Sequence, residues 1–240
     1  MTPAARERAQ VRAPVLFVSA AAWMLLLFEP GGMAPHAHHS AAMVGSNALP
    51  ARAFGWALML AAMMGPLLIA PIRHVRDRSF ARRRARAIAL FVAGCLAVWM
   101  VAGIVLLGLA SAIRQAVPES SVQLILAAVI ALVWQFSPVK QRCLNRGHVH
   151  PQMPAFGRAA DIGAFRFGLT HGVWCAGSCW ALMLLPLLIS RGHLVAMAAV
   201  TLWLWGERLE RPLPPRWSLQ LPRKATRLVA AQARMRLQNI

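Results

Sequence analysis

The chain has 240 residues, 58% of them hydrophobic, and a mean hydropathy of +0.53. Charged residues make up 14%, against about 25% in an ordinary soluble domain, and 26 Lys and Arg stand against 7 Asp and Glu for a net charge of +19. Such an excess points to nucleic acid or to an anionic membrane surface; here the basic residues cluster between long uncharged runs, which selects the membrane and excludes nucleic acid.

In chain order, six runs are apolar enough to cross a bilayer, whose hydrocarbon of roughly 30 Å asks for about 20 residues of helix. They are Ala13–Phe28, Ala53–Ile72, Ala87–Ile113, Ser121–Val139, Gly168–Ser190 and His193–Leu209. None alternates in the manner of a barrel strand. The expected fold is therefore all-α, a polytopic bundle of six transmembrane helices over residues 13–210. A short N-terminus (1–12) precedes it and a basic, Pro-rich tail (211–240) follows. The first run also has the basic start of a cleaved signal peptide. Because Glu29-Pro30-Gly31-Gly32 follows it without a small-x-small site, it is read as a span.

Orientation follows from the loops. All but three of the 26 Lys and Arg fall in the N-terminus, the segment 73–86 with its seven arginines, the segment 140–166, and the region after Gly206. The exceptions are Arg52, Arg114 and Arg191. An even number of spans places all four basic segments on one face, and positive segments stay in the cytoplasm. Both termini are expected there, with basic loops and tail on anionic lipid headgroups.

The residues able to carry chemistry are mostly soft ligands. In THGVWCAGSCWALM, His171, Cys175 and Cys179 recur every four residues and so share one helix stripe. Imidazole and thiolate suit Cu(I) or Zn(II), and polar groups within a span face its interior; buried cysteine also serves simply as a small apolar packing residue. The second span brings Met59, Met63 and Met64, with Pro66 and Pro71 interrupting the helix. At 1.5 Å per residue Cys179 and Met63 lie about 16 and 14 Å from the same face, with Cys95 at a comparable level. Past the fourth span come Lys140 and Cys143, then His148 and His150, a cluster that could hold a metal. Glu207 ends the last span as a candidate carboxylate partner. The external loop carries His36, His38 and His39.

Four cysteines are too few for a disulfide framework, and the chain contains neither G-x-x-x-x-G-K-[ST] nor G-x-G-x-x-G, which leaves nucleotide chemistry without a motif. The ordered set MMGPLLIAP, FVAGCLAVW, SPVKQRCL, GVWCAGSCWALM and a terminal GE resembles a bacterial family of predicted metal-binding integral membrane proteins, a domain of unknown function, over roughly residues 53–210. The resemblance implies Met63, Met64, Pro66, Pro71, Lys140, Cys143, Cys175, Cys179 and Glu207 as its positions, and a bacterial inner membrane as the location. Two departures replace soft ligands: Ser178 stands where the family has a cysteine, and Ser190-Arg191-Gly192-His193 where it has a Met-rich turn.

The functional expectation is an integral membrane protein that binds copper, or failing that zinc, for handling or delivery, with a metal chaperone as partner; enzymatic activity is left open and is not the favoured reading. A redox enzyme using a thiol pair, haem or quinone is the second expectation, although His171 is the only histidine placed to ligate haem within a span. A scaffold in which Cys and Met merely pack is the third. Proton-coupled transport lacks any acidic residue inside a span, Glu207 standing only at the end of the last. No sequence feature bears on oligomeric state.

Overall fold

The computed structural model describes residues 3–28, 48–189, 192–210 and 212–218. His36, His38 and His39, expected on the external side, and the tail beyond residue 218 lie outside them. Among the described residues every regular element is helical: α1 (Pro3–Phe28), α2 (Ala48–Met64), α3 (Ile69–Asp77), α4 (Arg84–Ala116), α5 (Ser120–Phe136), α6 (Pro138–Arg146), α7 (Gly157–Leu188) and α8 (His193–Leu209). Four stretches are long and apolar enough to cross a membrane, namely Ala9–Phe28, Arg52–Asp77, Ala81–Ala116 and Gly157–Leu188. The pair α5 and α6 makes a fifth if taken as one broken span. With 17 residues, α8 sits at the short end of what a bilayer asks of a helix.

Proline decides where these helices change course. Pro66 lies in the first turn of a 3-10 segment, Gly65–Leu68, and Pro71 falls in the first turn of α3, where a missing N–H costs least. The run therefore tightens but continues from Arg52 to Asp77. Ser137-Pro138 acts differently. The Ser137 hydroxyl accepts from the Val139 N–H at 3.1 Å, and Pro138 occupies the first position of a new helix. The axis turns by 67° there. The helix over the expected fourth run thus ends at Phe136, three residues before Val139, and the expected basic loop begins instead as the helix α6, with Lys140, Gln141, Cys143 and Leu144 buried.

The bundle is built on the pair α4–α7, its most extensive helix contact. At about 1.5 Å per residue these helices are about 50 and 48 Å long. Small residues allow their backbones to touch: a Cβ on Gly94 would lie 3.0 Å from the Leu169 nitrogen, and one on Gly172 would lie 3.2 Å from the Cys95 carbonyl oxygen. The other helices pack around this pair. The outward faces are apolar, with Phe17, Val101, Ile104, Ile125, Val133 and Leu202 largely exposed.

One end of the bundle gathers the basic segments. Asp161 of α7 is held by Arg83 at 2.7 Å and Arg86 at 2.8 Å, and Arg76 of α3 donates to Gln10 of α1. The segment after α8 meets the last turn of α6, where Asn145 donates to the Leu213 carbonyl at 2.7 Å.

Candidate metal centre

Helical periodicity puts His171, Cys175 and Cys179 on one stripe of α7, and the packing buries all three, at 5%, 1% and 2% exposure. Met59, Met63 and Met64 of α2, Cys95 and Trp99 of α4, Met183 of α7 and Met197 of α8 belong to the same core cluster as the two cysteines. The level match between Met63 and Cys179 has become common burial, with the Trp205 indole donating to the Met63 carbonyl at 3.3 Å. Cysteines 95, 143, 175 and 179 are all free thiols. The Cys179 thiol donates to the Cys175 carbonyl at 3.0 Å, and the Cys175 sulfur lies beside the Trp99 indole and the Arg208 guanidinium.

His171 is wedged between two rings, Phe91 at 5.8 Å and Phe167 at 6.0 Å between centroids. Its Nε2 is buried with no hydrogen-bond partner. An unpaired buried polar atom costs about 1–3 kcal/mol, so this nitrogen is suited to a ligand that would use its lone pair.

Across the bundle Lys140 of α6 and Glu207 of α8 form an ion pair in which both side chains are buried. Glu207 Oε1 also accepts from Gln135 at 3.1 Å and from the Trp203 indole at 2.8 Å. Glu207 is thus occupied by a lysine, and the pair ties α8 to the fold made at Ser137-Pro138. Cys143 faces Gly177 of α7, where a Cβ would lie 2.9 Å from its sulfur.

The expected cluster of Cys143 with His148 and His150 does not form. The His150 ring instead lies 4.9 Å from that of His74 and 6.4 Å from that of Phe167. Phe167 and Gly177 are ten residues apart on α7, about 15 Å along its axis. The helical turn of α6 directs Cys143 inward, and the following loop then carries the histidines back along α7. Partial desolvation of the otherwise exposed ring, with the neighbouring His74 and Arg73, lowers the His150 imidazole from its usual titration range. His74, Arg208, Trp99, Gln135 and Gly177 escaped the sequence reading. His74 was hidden by the arginines around it in IRHVRD, and Gln135 and Arg208 only border the expected SPVKQRCL and GE motifs.

Among the described residues no three His, Cys, Asp or Glu side chains converge as a ready-made metal group. Any ion held at the α7 stripe would therefore draw on thioethers as well as thiols and imidazole, a donor set that fits soft Cu(I) better than zinc, which takes four N, S or O ligands in a tetrahedron. A cavity of about 740 Å³ opens between α1, the α2–α3 run and α4. Gln10, Arg76 and Arg84 stand at one end of its lining, which reaches Met64, Cys95, Trp99 and Cys175.

A family model described as a copper chaperone, PpoB2, matches residues 53–229, three quarters of the chain. The match spans α2 to α8 and so every helix that contributes a soft ligand. No curated protein and no solved structure matches the chain.

Proposed function

The chain belongs to the PpoB2 copper chaperone family, and from that premise we propose that it is a membrane-embedded carrier of cuprous copper that holds the ion between α2 and α7. The observation that carries this reading is the gathering of Met59, Met63, Met64, Cys95, Cys175 and Cys179 in one buried cluster, beside a His171 nitrogen that has no partner. Thiolate and thioether favour Cu(I) over harder ions. Cys175 and Cys179, one turn apart, act as the principal ligands on α7, and His171, one turn before Cys175, is the donor from which the ion reaches them. Met63, with Met59 and Met64 near it, supplies thioether from α2. Copper is cargo here: it enters and leaves by ligand exchange, with no bond of the protein broken.

The remaining residues shape that pocket. Pro66 lets the α2 backbone tighten without ending the span. The Lys140–Glu207 pair fixes α6 against α8. The Arg208 guanidinium places a positive charge by the Cys175 sulfur and so offsets the negative charge of a thiolate ligand when copper is absent. The cavity leading to Cys175 leaves the site reachable from the basic end.

The membrane setting is part of the proposal. Six spans with both termini in the cytoplasm of a bacterial inner membrane take the four stretches apolar enough to cross, the broken pair α5–α6 as a fifth and the 17-residue α8 as a sixth; the apolar outer faces and the gathering of basic segments at one end support this arrangement. Residues 1–12 and the tail 211–240 then lie on the cytoplasmic surface, in contact with anionic headgroups. Reporter fusions in the connections after α1, α4 and α7 check the topology; activity of a cytoplasmic reporter at any of them overturns it.

A thiol-redox role has less support. Cys175 and Cys179 lie on successive turns of one unbroken helix, with the Cys179 thiol directed at a backbone carbonyl, and a disulfide needs its own close sulfur geometry.

The deciding measurement is cuprous ion content after anaerobic loading and desalting, in the purified protein and in the Cys175→Ser/Cys179→Ser variant. Loss of bound copper in the variant is expected. Equal content in both overturns the proposal.

A further inference from the structure

The stripe of α7 does not begin at His171. Four residues earlier stands Phe167, and on its outer side lie two histidines from different segments: His74 near the end of α3 and His150 in the connection between α6 and α7. The centroid of the His74 ring is 4.9 Å from that of His150 and 5.7 Å from that of Phe167, and the Phe167 ring is 6.0 Å from that of His171. The series thus runs from a pair of histidines at the surface, past one phenylalanine, to the unpartnered Nε2 of His171 and then to Cys175 and Cys179 at steps of four residues.

The hydrogen bonding of the outer pair suits a metal. His74 Nε2 lies 2.9 Å from the Pro151 carbonyl oxygen. A carbonyl only accepts, so Nε2 carries the proton and Nδ1 keeps its lone pair. Donation of the second ring N–H to a backbone carbonyl is the usual arrangement behind a metal-binding histidine. His150 is exposed and His74 half-buried, so an incoming donor can reach them. No carboxylate joins the pair as a metal group, and Arg73 is close by. That setting disfavours hard divalent cations and suits a monovalent soft ion, which accepts two neutral imidazoles.

We propose that His74 and His150 form a shallow docking site for a cuprous ion at the basic end of the bundle, from which the ion passes beneath Phe167 to His171 and the α7 thiols. This rests on the reading of the α7 stripe as the copper site and adds to it a loading port separate from the cavity that reaches Cys175. The transfer is ligand exchange. The Cu(I)–imidazole bonds of the port give way to bonds with His171 and then sulfur, and the oxidation state of the ion does not change.

The test uses the full chain purified in detergent and kept anaerobic, with Cu(I) supplied from a chromophoric chelator whose absorbance reports transfer. Four forms are compared: the parent, His74→Phe/His150→Phe, His150→Phe alone, and Cys175→Ser/Cys179→Ser. Phenylalanine keeps the ring packing but not the ligand, and the single variant retains the His74–Pro151 hydrogen bond should the double variant fold poorly. Both histidine variants are expected to lose the weakly held ion and to load the deep site several-fold more slowly, with its final occupancy unchanged. The cysteine variant should lose the tightly held ion and keep the weak one. Parent-like loading rate and stoichiometry in both histidine variants overturn the port and leave the deep site standing. A cysteine variant that retains the tight ion overturns the deep site, whatever the histidines do.

Discussion

The Lys140–Glu207 pair offers the sharpest test of the packing. Both side chains are almost wholly buried, at 5% and 3% exposure, and Glu207 is further engaged by Gln135 and Trp203. Two unit charges about 4 Å apart at an effective dielectric near 20 attract by about 4 kcal/mol. Removing one partner strands the other in a dry site, at a cost of about 3–5 kcal/mol. Lys140→Met leaves a carboxylate with only neutral donors, and Glu207→Gln leaves an ammonium facing an amide oxygen. The two faults are relieved together in the double variant, so its destabilisation should fall short of the sum by about 2–3 kcal/mol. Reversible unfolding of the detergent-solubilised protein, followed by tryptophan fluorescence, measures this, since Trp203 bonds directly to Glu207. Additivity within about 0.5 kcal/mol, or a cost below about 1 kcal/mol for Lys140→Met as for a surface pair, would refute the buried-pair argument.

Replacing His171 by Leu should leave the copper-free protein as stable or slightly more stable, because an unpaired buried nitrogen costing about 1–3 kcal/mol disappears, while cuprous affinity falls; melting and Cu(I) titration are read side by side. Valine at Gly168 forces a Cβ onto the Phe91 carbonyl and should destabilise the α4–α7 pair by about 1–3 kcal/mol or more, seen as a lower melting temperature; an unchanged one would contradict the close approach. Ser137→Ala/Pro138→Ala removes the cap and the pre-set first turn of α6. A cap alone is worth about 1 kcal/mol, so Cys143 should alkylate faster than in the parent. Cuprous ion at a hundredfold excess over its dissociation constant should stabilise the parent by about 2.7 kcal/mol, and the Cys175→Ser/Cys179→Ser variant should show no such gain.

Much of this protein is local and therefore legible in one dimension. Long apolar runs become helices because a helix satisfies its own backbone groups, and the α2–α3 run and α4 appear within about five residues of expectation at both ends. The exceptions are the starts of α1 at Pro3 and of α7 at Gly157, ten and eleven residues before their apolar runs. The stripe of His171, Cys175 and Cys179 was equally readable, since a helix brings residues four apart onto one face whatever surrounds it.

What the sequence left open are the contacts between elements far apart in the chain. Ser137-Pro138 reads as the end of a span, and nothing local says that the next nine residues turn by 67° and pack on α7 at Gly177. Lys140 meets Glu207 across 67 positions, and His74 meets the Pro151 carbonyl across 77. Those meetings are decided by how closely glycine-bearing helices approach and by the direction a proline sends the next one, quantities that hydropathy does not encode. For the same reason Cys143 was expected among histidines and lies instead on Gly177. The sequence by itself determined the helices and the soft ligands along each of them; only the tertiary packing decided which ligands share a buried cluster, because that depends on interhelical distance rather than on spacing along the chain.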